Sequence, residues 1–233
     1  MNRPFVEHLA EHPLIAILRG VSRHALAATI DTLAEAGVET LEVTLPTPGA
    51  AQAISEARER HPNLVIGAGT VTTAQQVDAA LAAGAMFLVS PNTDPAVLAR
   101  AAEVELPFLP GAFSPSEILL AWRLGAAGVK VFPARSLGPR YITDVHAPLP
   151  EIPLVAVGGV GLVDVRPYLD AGALAVGVGS PLLGDALEGG SQHELLKRAR
   201  LFVDAQCPTG DSGHGASGPR ATRQPEIQVA VRR

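Results

Sequence analysis

Residues 14–44, LIAILRGVSRHALAATIDTLAEAGVETLEVT, hold two short apolar runs separated by a stretch rich in Ala and Leu. The first run, 14–18, is continuously apolar. The second, 40–44, alternates Thr40, Glu42 and Thr44 with Leu41 and Val43. Between them, 22–36 carries its apolar residues at helical spacing, with Ser22 as a candidate cap and Gly37 just past the end. The unit is a strand, a helix and a second strand. Nearly continuous apolar strands belong to parallel sheets that are covered on both faces.

The same unit recurs along the chain. Further strands are expected at 64–68, 85–89, 107–109, 128–132, 153–157 and 174–178, with helices at 73–83, 95–103 and 114–124 among others. Thr73, Asp94 and Ser114 are candidate N-caps. Gly84, Gly125 and Gly172 stand, like Gly37, where a helix commonly ends on a left-handed residue. Eight such units predict one (β/α)8 TIM barrel over residues 1–206, with a short N-terminal helix; a doubly wound open sheet is the alternative. The 233 residues leave no room for a second domain, since a barrel of this kind takes about 250. Residues 207–233 are rich in Gly, Pro and Ser, lack periodicity, and are expected to form a disordered tail without a catalytic role.

Composition narrows the partners. A net charge of −5 with no basic stripe argues against nucleic acid. No polybasic cluster and no apolar run of about 18 residues points to a membrane. The N-terminus lacks the apolar core of a signal peptide, and Cys207 is the only cysteine. A cytoplasmic protein is expected. The seven histidines, His8, His12, His24, His61, His146, His193 and His214, fall on helices, connections or the tail. None ends a strand, no zinc-like pair is recognised among them, and no metal or other cofactor is expected.

Chemistry in a barrel sits at the C-terminal ends of the strands. Lys130 lies in Gly-Val-Lys-Val-Phe-Pro, residues 128–133, and is one of only two lysines beside sixteen arginines. A lysine inside an apolar strand is disfavoured as the charged form, and a neutral amine can attack a ketone to give an imine. A strand-end lysine reaching out to solvent is the bland alternative. Period-two alternation turns Glu42 toward the barrel interior with Thr40 and Thr44. There it is either a proton-carrying acid or the structural partner of an inward arginine. Gly158-Gly159 and Gly179-Ser180 end the last two strands, where barrels often hold phosphate, although each alone is also ordinary turn chemistry.

Seven segments in order resemble one family, the bacterial 2-keto-3-deoxy-6-phosphogluconate and phosphogalactonate aldolases. They are residues 17–20 (ILRG), 42–45 (EVTL), 67–71 (GAGTV), 90–92 (SPN), 130–133 (KVFP), 157–160 (VGGV) and 177–180 (GVGS). The resemblance covers about residues 14–205. It implies an imine-forming Lys130, a proton-transferring Glu42, a pyruvate-like end framed by Thr70 and Pro91, and Phe132 packed beside the imine. Gly158, Gly159, Gly179 and Ser180 would surround the phosphate. Pro46, where the gluconate branch usually has arginine, and Val157, where it often has threonine, are similar to the galactonate branch. So is Ser136-Leu137-Gly138-Pro139-Arg140-Tyr141. Arg19 would then grip the substrate carboxylate.

The expected activity is that of a class I aldolase cleaving 2-dehydro-3-deoxy-6-phosphogalactonate to pyruvate and glyceraldehyde 3-phosphate, with a homotrimer implied by the resemblance. Its partner is a small phosphorylated keto sugar acid. The gluconate epimer and 4-hydroxy-2-oxoglutarate are alternative substrates. A sugar-phosphate isomerase or a non-catalytic sugar-phosphate-binding barrel is the remaining alternative.

Overall fold

The computed structural model describes residues 3–20 and 25–207. Ser22, His24 and all of the expected tail beyond Cys207 lie outside the described residues. The strands are β1 (Leu14–Leu18), β2 (Thr40–Thr44), β3 (Val65–Gly69), β4 (Leu88–Val89), β5 (Phe108–Leu109), β6 (Gly111–Ala112), β7 (Val129–Val131), β8 (Leu154–Val157) and β9 (Ala175–Val178). Every paired neighbour is parallel, in the order β5-β4-β3-β2-β1-β9-β8-β7-β6.

The two ends of that order, β5 and β6, are separated in the chain only by Pro110. They are halves of one strand, the first paired to β4 and the second to β7. Proline has no N–H to give to a ladder, so the ladder is interrupted there. The carbonyl of Pro110 still accepts from Lys130 N at 2.9 Å and carries the pairing across the gap. The sheet is a ring of eight strands, which excludes the open, doubly wound alternative. The fifth strand runs on to Ala112, beyond the expected end at Leu109, because the proline interrupts it without ending it.

The helices are α1 (Arg3–Glu11), α2 (Leu26–Glu35), α3 (Ala50–Arg60), α4 (Ala74–Ala82), α5 (Pro95–Glu103), α6 (Pro115–Arg123), α7 (Pro139–His146), α8 (Val165–Asp170), α9 (Ser180–Leu183) and α10 (Gln192–Asp204). Thr73 and Ser114 each close a capping box with Gln76 and Glu117, and Asp94 accepts from Ala96 N and Val97 N. Gly37, Gly84, Gly125 and Gly172 take φ between +82° and +100°, as expected of residues that end helices.

Two apolar cores result. Leu41, Val43, Ile66, Val129 and Val131 face outward and pack with helix residues such as Ile54, Val97 and Ile118. Ile15, Phe87, Val89, Leu109 and Val155 face inward and fill the barrel with Phe5 and Leu9 from α1. The Phe5 ring stacks on Phe87 at 4.8 Å. α1 therefore plugs the N-terminal end of the barrel, and the polar interior positions open only at the other end. Among the described residues, no helix is long and apolar enough to cross a membrane.

Candidate active site

Lys130 is central in β7, between Val129 and Val131, which face the helices. Alternation turns its side chain inward, where it is only 6% exposed. Its Nζ lies 4.9 Å from the centre of the Phe132 ring, a cation–π distance. Burial pulls the amine below the usual lysine range, against the opposing pull of the Glu42 carboxyl. Desolvation wins because water, the best solvent for an ammonium, is excluded.

Glu42 occupies the middle of β2 and is 2% exposed. Burial raises its carboxyl above the ordinary range, while the cations of Lys130 and Arg19 act in the other direction. The carboxyl lies over Gly69 so closely that a Cβ there would overlap it. Both ionisable groups are thus pushed toward their neutral forms in one interior. Such a pair can hand protons to and from a reacting carbonyl near neutral pH.

Around them opens a cavity of about 570 Å³ at the C-terminal end of the strands. Lys130, Glu42, Arg19, Thr70, Pro91, Phe132, Val157, Gly158, Gly159, Gly179 and Ser180 all line it. Every site residue expected from the sequence is therefore brought to one place. At the mouth, Arg19 Nη2 donates to Thr70 Oγ1 at 2.8 Å. On the other side, Gly158 and Gly159 hold φ of +100° and +77° beneath Phe132 and Arg135.

The family described as Aldolase, KDPG and KHG aldolase, matches residues 6–196. The chain belongs to this aldolase family. A probable 2-dehydro-3-deoxy-6-phosphogalactonate aldolase of Rhizobium meliloti (strain 1021) is 40% identical over 84% of this chain and 93% of its own length. The 2-dehydro-3-deoxy-6-phosphogalactonate aldolase of Escherichia coli (strain K12) is 35% identical over 83% of this chain and 94% of its own. A solved structure titled "Native KDPGal structure" superposes with a TM-score of 0.78 at 34% identity, covering 83% of this chain and 93% of that one.

Two charged residues of the aldolase cavity escape the sequence reading. Arg135 lies in the loop after β7, its backbone N donates to Gly158 O at 3.0 Å, and its side chain lies against Gly159. Its place two residues beyond Phe132-Pro133, in a loop after a barrel strand, is the signal that could have found it. Glu188 also lines the cavity, from beyond α9. Nothing local marks it, because the backbone turn at residues 184–188 brings it round.

A second grouping was not foreseen. No zinc-like histidine pair is expected from the sequence, yet His8 on α1 and His12, the residue directly after α1, stand one turn apart and meet Glu39 at the closed end of the barrel. The helical turn runs on to His12, whose N donates to His8 O at 2.9 Å, so these positions four apart share a face.

Proposed function

We propose that the chain is a class I aldolase that cleaves 2-dehydro-3-deoxy-6-phosphogalactonate to pyruvate and glyceraldehyde 3-phosphate through an imine on Lys130. The observation that carries this reading is the buried amine of Lys130 beside the buried carboxyl of Glu42 at the open end of the barrel. The neutral amine adds to the C2 ketone, and Glu42 donates a proton to the oxygen that leaves as water. The resulting iminium draws electrons as the C3–C4 bond breaks. Glu42, now a carboxylate, takes the C4 hydroxyl proton, and the aldehyde departs. Protonation of the enamine at C3 and addition of water release pyruvate and restore the amine.

Substrate placement follows the cavity. Arg19, held by Thr70, faces the carboxylate end with a planar two-pronged donor. Arg135 and the backbone N–H groups around Gly158, Gly159, Gly179 and Ser180 offer positive charge to the phosphate. Val157 contributes no hydroxyl near C4, which supports the galactonate series over its epimer. A homotrimer belongs to the same reading: Phe113 and Leu120, each 45% exposed, would be covered by self-association. Sedimentation velocity should then give three times the monomer mass.

The decisive experiment is borohydride reduction in the presence of pyruvate, followed by peptide mapping. A reduced pyruvyl adduct is expected on Lys130, and its absence would sink the imine. Coupled assays with both C4 epimers and with 4-hydroxy-2-oxoglutarate then rank the substrates, with the phosphogalactonate expected first.

A further inference from the structure

The closed end of the barrel, opposite Lys130, gathers a different set of donors. His8 on α1 and His12, just past its end, lie one turn apart on the same side, with ring centres 5.0 Å apart. Glu39 directly precedes β2, and its Oε2 lies 3.3 Å from His12 Nε2. The candidate ligand atoms of all three fall within 4.8 Å of one another, and all three residues are half-buried.

We propose that His8, His12 and Glu39 form a binding site for a divalent transition-metal ion of the zinc class, clamping α1 to the start of β2. Two imidazoles and one carboxylate are a donor set suited to such ions, whereas magnesium and calcium favour all-oxygen sites. Ligands around a tetrahedral zinc sit about 3.3 Å apart, given metal–ligand bonds of about 2.0–2.1 Å. The present spread closes by small side-chain rotations, which the partly exposed His12 and Glu39 have room to make. His8 is already oriented, since its Nε2 pairs with the Oγ1 of fully buried Thr40 at 2.9 Å. An outer hydrogen bond of that kind fixes the ring at metal-binding histidines.

Access and position agree with this assignment. A cavity of about 520 Å³ borders His12 and Glu39 and gives an ion and its remaining waters a way in. The site lies at the end of the barrel that serves stability rather than catalysis. α1 is the plug of that end through Phe5 and Leu9, so a metal bridging it to Glu39 would resist its detachment.

The test uses the full-length, tag-free protein stripped with EDTA. Calorimetric titration with zinc chloride should show one equivalent bound, and cobalt(II) should develop the visible bands of a low-coordinate nitrogen and oxygen site. Saturating zinc should raise Tm by about 5–10 °C at a hundredfold excess over Kd. His12→Gln and Glu39→Gln should each weaken binding by about tenfold or more and cut the Tm shift at the same zinc concentration to about half or less. Both retain the helix packing, so loss of fold does not obscure the result. His214→Gln and Cys207→Ser should change nothing. The proposal is overturned if zinc fails to bind, if His12→Gln and Glu39→Gln bind it as the parent does, or if His214→Gln or Cys207→Ser abolishes binding.

Discussion

Arg19 reaches across the mouth of the cavity and donates from Nη2 to Thr70 Oγ1 at 2.8 Å, linking the segment after β1 to the residue after β3. Thr70 accepts that bond from a left-handed backbone with φ of +59°, a conformation that β-branched residues rarely adopt. Strain of this kind costs about 1–3 kcal/mol and persists where the surroundings enforce it. Thr70→Gly removes both the strain and the acceptor. Its Tm should not fall below that of the parent, while KM should rise about tenfold, the loss expected for one charge-assisted hydrogen bond. A lower Tm with unchanged KM would refute the link between strain and substrate grip.

Burial of Lys130 and Glu42 gives stability a definite pH dependence. The depressed amine stabilises the fold above its unfolded value, and that contribution is lost as pH falls through its folded value. The raised carboxyl stabilises below its unfolded value and loses that contribution as pH rises through its folded value. Between unfolded values of about 4.3 and 10.4 both therefore weigh against folding. The inactive double variant Lys130→Met/Glu42→Gln should melt higher at pH 7 by the equivalent of about 1–4 kcal/mol, as uncharged replacements of buried pairs often do. Differential scanning calorimetry measures it.

Among the side chains, only Lys130 and Lys197 offer an amine to such a reagent, beside the α-amino group of the chain. Competitive reductive methylation across a pH series, resolved by mass spectrometry, should show Lys130 reacting at a lower pH midpoint than Lys197. In Glu42→Gln the midpoint should move lower still, since the carboxyl opposes the burial effect. A midpoint that rises on this substitution would contradict the assigned coupling.

Gly69 is required by the carboxyl of Glu42, which occupies the space of a Cβ. Gly69→Ala should push Glu42 off its rotamer at a cost of about 1–3 kcal/mol and lower kcat by about a hundredfold. Urea unfolding and steady-state kinetics report the two effects. Activity equal to the parent would mean that Glu42 is not the proton carrier.

Arg135 lies against Gly159 at the side of the cavity assigned to phosphate. Arg135→Ala should raise KM for the phosphorylated substrate by about ten- to a hundredfold, the range for losing charge-assisted bonds. Turnover of unphosphorylated 4-hydroxy-2-oxoglutarate should be unaffected. Equal losses on both substrates would place the phosphate elsewhere.

Much of this was legible in one dimension because the relevant signals are local. The bounds of β1 and β2 match the apolar runs at 14–18 and 40–44. The caps at Thr73, Asp94 and Ser114 depend on side chains that reach only two or three residues along the chain. The fifth strand misleads for the same reason: a proline within a run signals an ending locally, whereas partners on β4 and β7 carry the strand through it.

The amino-acid sequence by itself determined the alternation of strand and helix, the inward face of Glu42, and the isolation of Lys130 within an apolar run. Periodicity and residue chemistry suffice for these. Only the tertiary structure decided that the ring closes at Pro110, that Arg19 meets Thr70, that Arg135 lies against Gly159 in the cavity, and that His8 and His12 meet Glu39. Each of these depends on a distance between segments far apart in the chain, and closure of the barrel sets such distances in three dimensions.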